Sequence, residues 1–215
     1  MRTQKNNLEK TLAVFDLDGT LINSKGKLVS DVVGAFNRLG VNIGPEEIHD
    51  KNWYTLAANY NISKEAFAKS FDKRESWQES LNRGKVSMYP DAKKCLDYLK
   101  DNGAHIALLS KSNPEYTRAK VDYFGLNEYI QQIAISPVYA PSKNKEAAEL
   151  VKKFPDIDKA YFIGDSEGDV TIADYVHQKF KISTGGIYVN RENSAKIQGY
   201  YNIHSLGEVP KIIKY

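Results

Sequence analysis

Five short apolar runs recur along this chain, and a stretch with helical spacing follows most of them. They are TLAVFDL from residue 11, HIALLS (105–110), QIAIS (132–136), AYFIGD (160–165) and GIYVN (186–190). Each is nearly continuous in apolar residues instead of alternating, as expected of a strand covered on both faces. Between them, Ala92, Cys95, Leu96 and Leu99 fall at i, i+3, i+4 and i+7, and Gly103 ends the pattern. NPEYTRAKVDYFG opens on an Asn cap with Pro at the first helical position and closes on Gly125. KNKEAAELVKKFP carries Ala147, Leu150, Val151 and Phe154 and breaks at Pro155. Strand–helix–strand alternation implies parallel strands joined by right-handed crossovers. The expected fold class is α/β, a doubly wound, mainly parallel, Rossmann-like sheet.

Residues 23–88 break the alternation. SDVVGAFNRLG, GPEEIHDKNWYTLAANY and SKEAFAKSFDKRESWQESLNRG all read as helical, with starts at Pro45 and Ser63. We expect a small all-helical domain over 23–88, inserted after the first strand of a core made of 1–22 and 89–215. Trp53, Tyr54, Tyr60, Phe67, Phe71 and Trp77 would supply most of its packing. Lys73, Arg74 and Arg83 could meet a second charged group of a substrate, but a solvated helix face is the better fit.

The chain has 215 residues, enough for one full core and an insertion. Net charge is only +3, from 30 basic and 27 acidic residues. No run of five Lys or Arg occurs, so nothing calls for a nucleic-acid partner. Cys95 is the single cysteine, which rules out an internal disulfide and fits a reducing, cytoplasmic setting. It sits on an apolar helix face and reads as a core thiol. The N-terminus is a polar tail without a signal-peptide pattern, and no segment has membrane-spanning length. His49, His105, His177 and His204 show no ligand spacing.

In a sheet of this kind, ligands bind beyond the carboxyl ends of the strands. DLDGT, SKSN and GDSEGD would all lie there, three polar clusters converging from distant parts of the chain. Asp16 and Asp18, one residue apart at a strand end, repel each other unless a cation or a reaction employs them. The economical reading makes Asp16 a ligand and nucleophile and Asp18 a proton donor or acceptor. A hard divalent ion, Mg²⁺, suits carboxylates and a phosphate.

FDLDGT resembles the first motif of the haloacid-dehalogenase-like phosphatases, D-x-D-G-T. ALLSKSN is similar to their second motif, with Ser110, and IGDSEGDV to their fourth, with Asp165 and Asp169. The third is a Lys ahead of a helix, for which Lys143 and Lys145 both qualify; the helix offsets favour Lys143. The resemblance implies that Asp16 attacks phosphorus, and that Asp18 protonates the leaving oxygen and then deprotonates water. Thr20, Ser110, Lys111 and Lys143 would hold phosphate oxygens. Asp165 would bind Mg²⁺ with the Asp16 carboxylate and the Asp18 backbone carbonyl, and Asp169 would stand behind them or bind the Lys. An acid at position 18 fits phosphate-ester chemistry, not dehalogenation.

In such enzymes a helical insert at this point acts as a mobile cap, so the implied substrate is a small phosphorylated metabolite. Two other readings remain: a phosphomutase of the same family, or a catalytically idle binding protein on the same fold. The insert lacks the basic, serine-rich segment of the former, and the latter would not keep all four motif residues.

Overall fold

The computed structural model describes residues 7–48, 53–137 and 140–214. Residues 1–6 of the expected tail, and His49, lie outside them. Leu8 is buried, and its N–H donates to the Asn102 carbonyl at 2.9 Å, so the tail is anchored just ahead of the first strand.

In chain order the strands are β1 (Thr11–Phe15), β2 (Ile22–Asn23), β3 (Ser87–Met88), β4 (His105–Lys111), β5 (Gln132–Ser136), β6 (Lys159–Gly164), β7 (Ser183–Val189) and β8 (Tyr201–Ile203). The helices are α1 (Lys25–Arg38), α2 (Trp53–Asn59), α3 (Lys64–Phe71), α4 (Trp77–Asn82), α5 (Ala92–Asp101), α6 (Pro114–Tyr123), α7 (Asn144–Val151), α8 (Glu167–Val170), α9 (Ile172–Phe180) and α10 (Val209–Ile212). Six strands form one sheet in the order β5-β4-β1-β6-β7-β8, every pair parallel.

From β1 the chain builds outward through β4 to β5, then crosses back to β6 on the other side of β1. That reversal makes the carboxyl end of β1 the switch point, where an open parallel sheet offers a crevice. Within β1, Leu12 and Val14 join Ala107 and Leu109 of β4 against α7 and α9. Ala13 and Phe15, on alternate positions, are also fully buried. Both faces of β1 are therefore covered, the physical reason it reads as an unbroken apolar run. Each fully buried Leu, Val or Phe side chain contributes about 1.5–3 kcal/mol.

Local signals fix the helices that matter for the site. Asn113 caps α6, its side chain accepting from the N–H groups of Glu115 and Tyr116 at 2.8 and 3.3 Å. Gly125, at φ +65°, leads the chain away from α6 toward β5.

The chain divides into two compact units, Met1–Ile22 with Met88–Tyr215, and Asn23–Ser87. The second contains α1 to α4. Its own core gathers Val32, Ala35, Phe36, Ile43, Leu56 and Phe67. Phe36 and Phe67 meet with ring centroids 5.2 Å apart, and Tyr54 sits edge-on to Phe67 at 5.5 Å. Ser63 and Ser76 cap α3 and α4.

Candidate active site

Asp16 continues β1 by one residue, its N–H donating to the Ile163 carbonyl of β6 at 2.9 Å. The turn that follows depends on Gly19, at φ +88°, where a Cβ would overlap the Asp165 carboxylate. Gly164, the last residue of β6, has the same role: a Cβ there would run into the Asp169 side chain. The missing side chain at Gly19 thus lets the loop after β1 approach the loop after β6, and the one at Gly164 lets Asp169 fold back over its own strand end.

Carboxylate oxygens of Asp16, Asp165 and Asp169 all lie within 4.8 Å of one another. Lys143, at the start of α7, is the cation set among them. Its Nζ donates to Asp16 Oδ1 at 2.5 Å, to Asp169 Oδ1 at 2.7 Å and to the Leu109 carbonyl at 3.1 Å. Asp169 is held from the other side, its Oδ2 accepting from the Ser166 N–H at 3.1 Å and the Ser166 hydroxyl at 2.5 Å. Both Asp169 oxygens are therefore committed, and the residue orients Lys143.

The charges are out of balance. Burial pushes the Asp16 carboxyl well above its ordinary range; Lys143 pulls it down, while Asp169 and Asp165 push it up. Burial alone would lower Lys143, but Asp16 and Asp169 outweigh it and keep the ammonium charged. Three carboxylates against one ammonium leave two formal negative charges at this spot. A hard divalent cation with oxygen ligands matches that deficit and donor set.

A cavity of about 260 Å³ opens over this cluster. Asp16, Asp18, Ser110, Lys111, Lys143 and Asp165 line it. Ser110 ends the buried part of β4, only 2% exposed, and Lys111 follows it on the exposed side. No histidine among the described residues lines the cavity.

Residues 10–176 match the family described as haloacid dehalogenase-like hydrolase. The chain belongs to that family. Among curated relatives, a phosphoglycolate phosphatase of Haemophilus influenzae is 26% identical over 190 residues, 78% of this chain and 82% of that protein. A phosphoglycolate phosphatase 1 of Pseudomonas aeruginosa is 28% identical over 181 residues, covering 75% of this chain and 65% of that protein. Among solved structures, a haloacid dehalogenase-like hydrolase from Streptococcus pneumoniae superposes with a TM-score of 0.74 at 16% identity, over 96% of this chain and 99% of that one. A phosphatase of the family from Thermococcus onnurineus gives 0.65 at 23% identity, over 94% and 97%. At such identities the structural likeness speaks for the fold alone.

Within this member of the hydrolase family, the two candidate lysines part company. Lys143 reaches Asp16 and Asp169, whereas Lys145 lines a separate surface groove with Ile133, Glu149 and Lys153. Thr20, expected on the phosphate, is fully buried and outside the cavity lining; its hydroxyl has no partner among the described residues. Its carbonyl accepts from the Arg191 guanidinium at 3.0 Å.

One residue at the site escaped the sequence reading. Lys120, in the middle of α6, is completely buried and donates to both oxygens of Asp18, at 2.7 and 2.6 Å. The only local signal was a cation on the inward face of α6, between Thr117 and Val121.

Proposed function

We propose that this chain is a Mg²⁺-dependent phosphatase that hydrolyses a small phosphorylated metabolite through an aspartyl-phosphate on Asp16. The observation that carries the reading is Lys143 bridging Asp16 and Asp169 beside Asp165, at the switch point of the sheet. The helical unit, Asn23–Ser87, would serve such an enzyme as a cap.

Asp16 and Asp165 would hold the ion with their carboxylates, together with the Asp18 backbone carbonyl. The bound ion would offset negative charge on the phosphoryl oxygens and the nucleophile. Asp16 forms a bond to phosphorus, and the P–O ester bond breaks with its electron pair on the leaving oxygen. The Asp18 carboxyl gives that oxygen its proton. Water then attacks the aspartyl-phosphate, Asp18 takes the water's proton, and the Asp16 carboxylate is restored. Ser110, Lys111 and Lys143 bind the phosphoryl oxygens. The lining of the cavity by these three residues supports that assignment.

The named activity of the curated relatives makes phosphoglycolate the first substrate to try. A panel of phosphoglycolate, glycerol phosphate, sugar phosphates and nucleoside monophosphates, run with Mg²⁺, should reveal one alkyl ester that is turned over. Asp16→Asn should abolish turnover and leave the circular dichroism spectrum unchanged. Full activity in that variant would remove the nucleophile.

A further inference from the structure

Lys120 has no role in the mechanism above, yet its burial demands one. Lysine is almost never fully buried unless paired, and this one has no exposed surface. It lies on α6, 102 residues from Asp18 in sequence, and the two meet as a bidentate pair. Thr117, Lys120 and Val121 form the inward face of α6. An apolar side chain of similar length would fill that space without the desolvation cost of an ammonium. Stability alone therefore gives no reason to prefer a lysine here, since buried ion pairs do no better than well-packed apolar substitutes.

The partner explains the choice. The Asp18 side chain keeps 18% of its surface exposed and lines the cavity beside Asp16. A carboxyl on a short side chain at a turn can occupy several rotamers, and few of them place an oxygen where a leaving group would sit. Anchoring both oxygens from one fixed, buried Nζ selects one orientation.

We infer that Lys120 is a positioning residue that holds the Asp18 side chain in the orientation needed for proton transfer at the leaving oxygen; the pair is the ionised carboxylate, so Asp18 takes a proton from solvent before it gives one to the leaving oxygen. The inference rests on the phosphatase reading and on Asp18 as its acid. Lys120 does not line the cavity, so the role is indirect and should leave substrate affinity alone.

The leaving group separates this role from a structural one. Dinitrophenolate departs without a proton, whereas an alkoxide does not. Lys120→Met is compared with wild type, with Mg²⁺, on 2,4-dinitrophenyl phosphate and on the alkyl ester that the wild type turns over fastest in the panel above. General-acid contributions of 10²–10⁴ set the scale: kcat on the alkyl ester should fall at least about 30-fold more than on the activated ester, with KM nearly constant. Equal losses on both esters, or none, would overturn the positioning role while leaving the phosphatase reading intact. A wild type that hydrolyses no alkyl ester overturns both.

Should Lys120→Met fail to fold, the double variant Asp18→Asn/Lys120→Met, which leaves no unpaired buried charge, replaces it. Its kcat on the alkyl ester should lie within about threefold of Asp18→Asn alone, because two residues acting as a unit do not add. A further tenfold drop would mean that Lys120 acts elsewhere.

Discussion

At the scale of single residues, the site depends on which cation reaches which carboxylate. Lys143→Ala should cut turnover by about 10²–10³ or more, the usual loss when a preorganised charge is removed from a reacting centre. Lys145→Ala should leave turnover near wild type, because its side chain borders a different groove. Initial rates on one alkyl phosphate, measured for both variants side by side, check the contrast. Cys95 makes a second test. Burial pushes its thiol up to about 12 from an ordinary 9, so it stays neutral in the folded protein. Iodoacetamide at pH 8 should leave it unmodified until denaturant is added. The sign for stability follows: folding favours the protonated thiol, so this contribution is intact below about pH 9 and is lost as pH rises toward 12.

At the scale of elements, one network ties three segments of the core together. Arg191, after β7, donates to both oxygens of Asp91 at 3.0 Å and to the Thr20 carbonyl at 3.0 Å. Its guanidinium lies 3.7 Å from the Tyr89 ring centroid. Asp91 also accepts from the Ser205 hydroxyl at 2.7 Å and the Leu206 N–H at 2.9 Å. Arg191→Ala should therefore destabilise the protein by about 2–4 kcal/mol, measured by urea unfolding, because Asp91 is left half-buried and short of its cation.

Such a network illustrates what a sequence reading misses. β1 and β4 were legible because burial on both faces writes itself as a continuous apolar run; β5, half-buried at the sheet edge, and β6 were legible from their apolar runs as well. β7 was read from Gly186, but it begins at Ser183, where Ser, Thr and two glycines carry no apolar signal. β8, three residues at the edge of the sheet, left no pattern at all. The acidic loops were legible because their glycines and carboxylates are adjacent in the chain. Lys120 and Arg191 were not, since each finds its partner about a hundred residues away and nothing local distinguishes it from a solvated cation.

For the whole molecule, the acidic cluster links ion binding to folding. The carboxylates of Asp16, Asp165 and Asp169 crowd round one ammonium, and an ion that binds only the folded state relieves their repulsion. Mg²⁺ at about a hundred times its dissociation constant should raise the melting temperature by about 5–10 °C. EDTA should reverse the shift and stop hydrolysis together. A melting temperature indifferent to Mg²⁺ would argue against the carboxylates as its ligands. Among the described residues, no helix is long and apolar enough to cross a membrane.

The chain leaves the core through β2 and comes back through β3, and those two dipeptides lie side by side. A detour of 65 residues, Asn23–Ser87, therefore begins and ends at almost one point. An engineer could graft a foreign module between these ends, since any chain whose two ends meet as closely would leave and rejoin the core at the same place.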